Sequence, residues 1–236
     1  MPTHHIPKDF PAKAAELGDV AAIENYLKNG NDVDTTGRRQ RTLLHYAARK
    51  GTEEVVRLLL KKGANIEAKT SHKLTALHQT AFYGHSSVMK ILIKAGANIN
   101  ALDFGAWTPL HYACNYGNSE CALILIEAGA DLNFKSAELQ FSPIHLACRS
   151  GSVSPVLTLI DKGVPVNMSS GLLLTPLHMA CQGDFVALVK SLLAVGADPL
   201  APDEVGTIPG QFTKNQEIRK MLDDVVGNSN KDAETH

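Results

Sequence analysis

A chain of 236 residues with a formal net charge of −1 has no global field to draw it to nucleic acid or an anionic membrane, so any charge argument must be local. Its 44% hydrophobic and 20% charged residues are ordinary for a folded globular chain, and no run approaches the ~18–20 apolar residues that cross a bilayer. Residues 1–9, opening Met1-Pro2-Thr3-His4-His5, lack the basic-then-apolar order of a secretory signal and are expected to be a loose lead-in. In residues 10–37, Ala14-Ala15-Glu16-Leu17-Gly18 and then Ile23, Tyr26, Leu27 and Gly30 outline two short helices, each stopped by glycine.

The next stretch sets a rhythm. Thr42-Leu43-Leu44-His45, Thr75-Ala76-Leu77-His78, Thr108-Pro109-Leu110-His111, Ser142-Pro143-Ile144-His145 and Thr175-Pro176-Leu177-His178 start at spacings of 33, 33, 34 and 33 residues. A fixed period of that size means a solenoid, in which each unit buries its apolar face against its neighbours. In each copy Thr or Ser suits a helix N-cap, and Pro, where present, sits at the first helical position, where its missing N–H is harmless. Leu110, Ala113 and Cys114 then make a small apolar face at i, i+3 and i+4, and Gly117 ends the helix. The second helices carry Val56, Leu59 and Leu60, then Met89, Leu92 and Ile93, then Ala122, Leu125 and Ile126, then Val156, Leu159 and Ile160, then Val189, Leu192 and Leu193.

These units run approximately 38–70, 71–103, 104–137, 138–170 and 171–203. The fourth of them carries one extra residue near Lys135–Leu139, which should alter its entry loop. Pro155 falls in a first helical turn, where proline is tolerated. In the last, Gly183 comes one place early and Asp184 stands where glycine is usual, which predicts a locally different turn. Residues 204–226 form a shortened unit with Thr207-Ile208-Pro209-Gly210 and a stripe of Ile218, Met221 and Leu222. Residues 227–236 are small and polar and are expected to be disordered.

The TPLH strings, the Ala pair, the V-x-x-LL helix and the Gly-Ala-Asp/Asn-x-Asn exit occur together and in register. On these residues the chain resembles the ankyrin repeat family, with about seven repeats including divergent caps at 10–37 and 204–226. The resemblance implies an all-α solenoid of helix-turn-helix units with β-hairpin fingers, and a concave groove lined by fingers and first helices. It also implies that His45, His78, His111, His145 and His178 are structural. Their spacing agrees, since one ring per stacked unit, about 10 Å apart, cannot share a zinc ion that needs ligands at ~2.0–2.1 Å. Cys114, Cys148 and Cys181 share one register position and, with Cys121, read as small buried hydrophobes, which fits a reducing cytoplasmic or nuclear location.

No phosphate-loop, dinucleotide, zinc-protease or nucleophile-elbow string is present. A non-catalytic chain without cofactor or metal is expected, acting as a protein-interaction scaffold or adaptor. In the family, contacts come from finger positions four, three and one before the TPLH Thr, and from seven and eight after it. On this sequence those positions give Arg38, Arg39, Arg41, Arg49 and Lys50, then His72, Leu74, Phe82 and Tyr83. Phe104, Gly105, Trp107, Asn115 and Tyr116 follow, then Glu138, Leu139, Phe141, Arg149 and Ser150, then Gly171, Leu172, Leu174 and Gln182. The gradation from cations through aromatics to aliphatics predicts a protein or peptide partner with acidic residues and an aromatic or aliphatic anchor, bound by a chain that is monomeric alone. Trp before TPLH and Tyr before the turn glycine also serve packing in ankyrin repeats, and the cations also suit a plain solvated face. By repeat number the chain also resembles gankyrin-like assembly chaperones of the proteasome regulatory particle, and an inhibitor masking a kinase or transcription factor fits the same architecture. Nucleic-acid binding would rest on the basic second repeat alone.

Overall fold

The computed structural model describes residues 10–233, with side chains as far as residue 227. The described residues contain thirteen α-helices joined by turns and loops, and none of these residues is in a strand. They run α1 Ala12–Leu17, α2 Val20–Lys28, α3 Leu43–Lys50, α4 Glu53–Lys61, α5 Ala76–Tyr83, α6 Ser86–Lys94 and α7 Pro109–Asn115. Then follow α8 Ser119–Glu127, α9 Pro143–Arg149, α10 Val153–Asp161, α11 Pro176–Gln182, α12 Val186–Ala194 and α13 Gln216–Ala233. None of them is long and apolar enough to cross a membrane. The chain forms two compact units. One comprises the residues to Ala113 with Glu120–Ala130, and the other Cys114–Ser119 with the residues from Asp131 on.

In the first unit α3 packs between α1 and α5, while α4 packs between α2 and α6. Ala15, Ala47, Ala48 and Ala81 are fully buried, so the first helices meet almost backbone to backbone. The second helices supply the bulk: Val56, Leu59, Met89 and Leu92 are also fully buried. Each such side chain contributes about 1.5–3 kcal/mol. Leu60 and Ile93 stay half-buried, at the edge of the stripe. The second unit repeats the scheme, with α9 on α11 and α10 on α12, around buried Leu146, Val156, Leu159, Val189 and Leu192.

The fingers are tight turns, each closed at its base by a backbone bond. The Thr70 N–H donates to the Leu74 carbonyl at 3.0 Å, Asp103 to Trp107 at 3.1 Å and Ser170 to Leu174 at 3.0 Å. At each tip a residue that is not glycine takes a left-handed φ: Lys73 at 60°, Ala106 at 55° and Leu173 at 56°. In the fifth repeat the closing bond runs from Ser136 to Phe141, so the extra residue widens the turn by one position.

The turn after α11 keeps its shape by an unusual route. Gly51 and Gly151 take left-handed φ values of 75° and 72° after α3 and α9, but Gly183 has an ordinary φ of −87° and Asp184 takes the left-handed place at 54°. The reason is Phe185. A Cβ on residue 183 would lie 2.1 Å from its ring, so the glycine is needed for space, and Asp tolerates the left-handed conformation better than most residues.

At the C-terminus Ile218 and Leu222 are buried and α13 packs on α12, as a cap requires. The helix runs beyond the expected boundary at 226. It continues through residues 227–233, a segment expected to be disordered. Residues 234–236 of that expected tail, and the expected lead-in at 1–9, lie outside the described residues.

Candidate protein-interaction surface

The repeated histidines come first, because they fix the fingers from which the surface is built. The Thr42 N–H donates to His45 Nδ1 at 3.2 Å, and the Thr42 hydroxyl lies 2.9 Å from the same nitrogen. Nδ1 is therefore an acceptor and Nε2 carries the proton, which it donates to the Leu74 carbonyl at 3.0 Å. His78 does the same between Thr75 and the Trp107 carbonyl, His145 between Ser142 and Leu174, and His178 between Thr175 and Thr207. Each ring thus caps its own helix and holds the base of the next finger, with both nitrogens engaged. Burial lowers the pKa of His45, His78 and His145 to about 4 from the ordinary 6.5, and lowers that of His178 in the same direction. Protonating Nδ1 would also set its N–H against a backbone N–H.

In the first unit the expected cations separate into two kinds. Arg38, Arg39 and Lys50 are exposed. Arg49 is engaged: its guanidinium is 3.8 Å from the Glu16 carboxylate and 5.6 Å from the Tyr83 ring centroid, and its carbonyl accepts from His85 Nε2 at 2.9 Å. Arg41 is half-buried, and its Nε, like that of Arg49, is buried with no hydrogen-bond partner among the described residues. His72 is exposed, whereas Leu74 is half-buried at the finger base gripped by His45.

The aromatics divide in the same way. Phe82 and Trp107 are half-buried around Tyr112, with ring centroids 5.9 and 5.3 Å from it. Asp103 ties this group together: Oδ2 accepts from the Tyr112 hydroxyl at 2.7 Å, and Oδ1 accepts from the Gly105 and Trp107 N–H groups at 2.8 Å each. Trp107, one of the expected contact residues, is half-buried and also braces its own finger. The outward aromatic is Phe104, 65% exposed, with the Lys73 ammonium 4.7 Å above its ring. Tyr83 is also exposed, beside Arg49. Asp103, Tyr112 and Lys73 fall outside the positions transferred from the family. The one available signal was the Asp103-x-Gly105 pair, a pattern suited to a side chain that closes a turn on its own backbone.

A hollow of about 630 Å³ along α4 and α6 is lined by Leu60, Ile91 and charged residues. Three of those charges are already paired, Arg57 with Glu53 at 3.5 Å, and Lys90 with Glu120 at 3.3 Å.

In the second unit Tyr116 is exposed and Asn115 is half-buried. The Arg149 guanidinium donates to the Asn115 amide oxygen and lies 5.7 Å from the Phe141 centroid. Phe141 itself is only 7% exposed and packs on His145, so it supports the finger from within instead of offering a contact. The equivalent residues Leu74, Trp107 and Leu174 are half-buried. The four thiols are free and buried. Burial pushes Cys114, Cys121 and Cys181 up to about 12 and raises Cys148 well above the ordinary thiol range, which removes the thiolate that redox chemistry needs.

A family model described as "Ankyrin repeats (3 copies)" matches residues 12–103, 70–136 and 103–170, and one described as "Ankyrin repeat" matches residues 173–204. Among solved structures, the human ASB11 ankyrin repeat domain is similar with a TM-score of 0.82 at 23% identity, covering 91% of this chain and 96% of that one. The ankyrin repeat domain of Bcl-3, described as a unique member of the IkappaB protein family, is similar with a TM-score of 0.76 at 25% identity, covering 92% of this chain and 99% of that one. No curated protein sequence matches the chain.

Proposed function

The chain belongs to the ankyrin repeat family, whose domains bind other proteins and are generally non-catalytic, and from that premise we propose that it is an interaction scaffold whose first unit receives an acidic peptide segment. The observation that carries this reading is the exposed Phe104 ring under the Lys73 ammonium, on the same unit as the exposed guanidinium groups of Arg38 and Arg39. An exposed aromatic beside a cation, on a unit with further exposed cations, suits a partner with carboxylates around an apolar residue, since aromatic and Arg side chains dominate interface energies. The fingers are held by buried hydrogen bonds before any partner arrives, so little ordering accompanies binding. The four free thiols fit a reducing compartment, and we place the chain in the cytoplasm or nucleus, as a monomer when unbound.

The test is fluorescence anisotropy with a short peptide of Asp and Glu around a central Phe, beside a DNA duplex, over a range of salt. The peptide is expected to bind, and Phe104→Ala or the pair Arg38→Glu/Arg39→Glu should weaken it about tenfold or more. Binding that neither variant alters would refute the site. A duplex that binds more tightly than the peptide, and falls away steeply with salt, would turn the reading to nucleic acid.

A further inference from the structure

The finger tips of the second unit are different in chemistry from those of the first. Leu139 and Leu172 are exposed, Leu173 is 50% exposed and Val205 is 83% exposed. They belong to three successive fingers that the backbone ties together: the Gly171 N–H donates to the Leu139 carbonyl at 3.0 Å, and the Glu204 N–H donates to the Leu172 carbonyl at 3.1 Å. The result is a continuous ridge of aliphatic side chains on rigid tips. Leu173 also holds a left-handed φ of 56°, a conformation that disfavours a bulky side chain. Leu173 and Val205 leave half or more of their surface to solvent, so folding alone does not require those two to be apolar.

The charges beside the ridge select the occupant. Glu138 and Glu204 are exposed on either side of the leucines. The nearest cation in these fingers, Lys135, already donates to the Ser169 carbonyl at 2.9 Å. A second copy of the chain docked ridge to ridge would bring these carboxylates against their own like, as a self-complementary contact must. We propose that the ridge docks a protein segment in which aliphatic residues are flanked by Lys or Arg. This surface is separate from the basic first unit, and its residues differ from those of the acidic-peptide site.

Three labelled short peptides test it by anisotropy at low salt: Leu alternating with Ser between terminal Lys pairs, the same with terminal Glu pairs, and the Lys-flanked peptide with every Leu changed to Ser. The Lys-Leu peptide is expected to bind the full chain about tenfold tighter than either control. Leu172→Ser/Leu173→Ser should abolish that preference, and Glu138→Lys/Glu204→Lys should reverse it toward the Glu-flanked peptide. These exposed substitutions should leave the thermal unfolding midpoint in place, and Arg38→Glu/Arg39→Glu should leave the Lys-Leu affinity unchanged. Equal binding of the leucine-free peptide, or binding that survives Leu172→Ser/Leu173→Ser, would overturn the proposal. So would self-association in sedimentation that these serines remove, because the occupant would then be a second copy.

Discussion

Acid should unfold this protein well above the pH at which its carboxylates protonate, because its repeated histidines are buried neutral. In the unfolded chain each histidine titrates at 6.5, whereas His45, His78 and His145 titrate at about 4 when folded. Below 6.5 the unfolded state binds more protons than the folded one, so stability is complete above that pH and falls as pH falls towards 4. At pH 5.5 the loss for each ring is about 1.4 kcal/mol, and at pH 4 it reaches about 3 kcal/mol. The three together remove about 4 kcal/mol by pH 5.5, a large part of the 5–15 kcal/mol typical of a folded domain. Urea unfolding followed by circular dichroism at pH 7.5, 6.5 and 5.5 measures this directly. His78→Gln, which cannot protonate, should reduce the slope by about one histidine's share even though its stability at pH 7.5 is lower. A stability that stays level from pH 7.5 to 5.5, or proton NMR titration of these rings near 6.5 in the folded state, would refute the reasoning.

Phe104→Ala should change stability by less than about 0.5 kcal/mol, because the ring is exposed. Trp107→Ala should cost about 2 kcal/mol by removing the wall against Tyr112, and comparing the two in urea unfolding separates brace from contact. Gly183→Ala has a permitted φ but sets a Cβ 2.1 Å from the Phe185 ring, so it should cost more than about 2 kcal/mol in the same assay. Ala106→Gly relieves a left-handed φ of 55° and should raise stability by up to about 1 kcal/mol, read as a higher thermal midpoint. Asp103→Asn leaves the finger's shape but weakens its three hydrogen bonds, and should lower the midpoint modestly.

Much of the fold was legible in the chain because the signals for it are local. A capping hydroxyl, an apolar residue two places on and a glycine after the last turn together define a short helix, and their return every 33 residues defines the stack. The helices begin at or next to the residue that follows the capping hydroxyl, and the predicted stripes at Leu59, Leu92, Leu125, Leu159 and Leu192 are fully buried. The C-terminal helix was read as too short, since a polar segment offers no apolar period from which to judge how far a helix continues beyond its packed part. The turn at Gly183 looked irregular, yet its shape is regular, because Asp184 takes over the left-handed place.

The contact surface was less legible. Arg49, Trp107 and Phe141 occupy positions that ankyrin repeats use for partners, and Glu16, Asp103 and His145 also engage them within the protein. By itself the sequence determined the period, the helices and the buried face, since burial imposes a pattern on neighbouring positions along the chain. Only the tertiary structure decided which surface groups remain available, because the groups that engage them stand on other elements, as Glu16 does for Arg49 and Arg49 for Tyr83, and no periodicity records such a pairing.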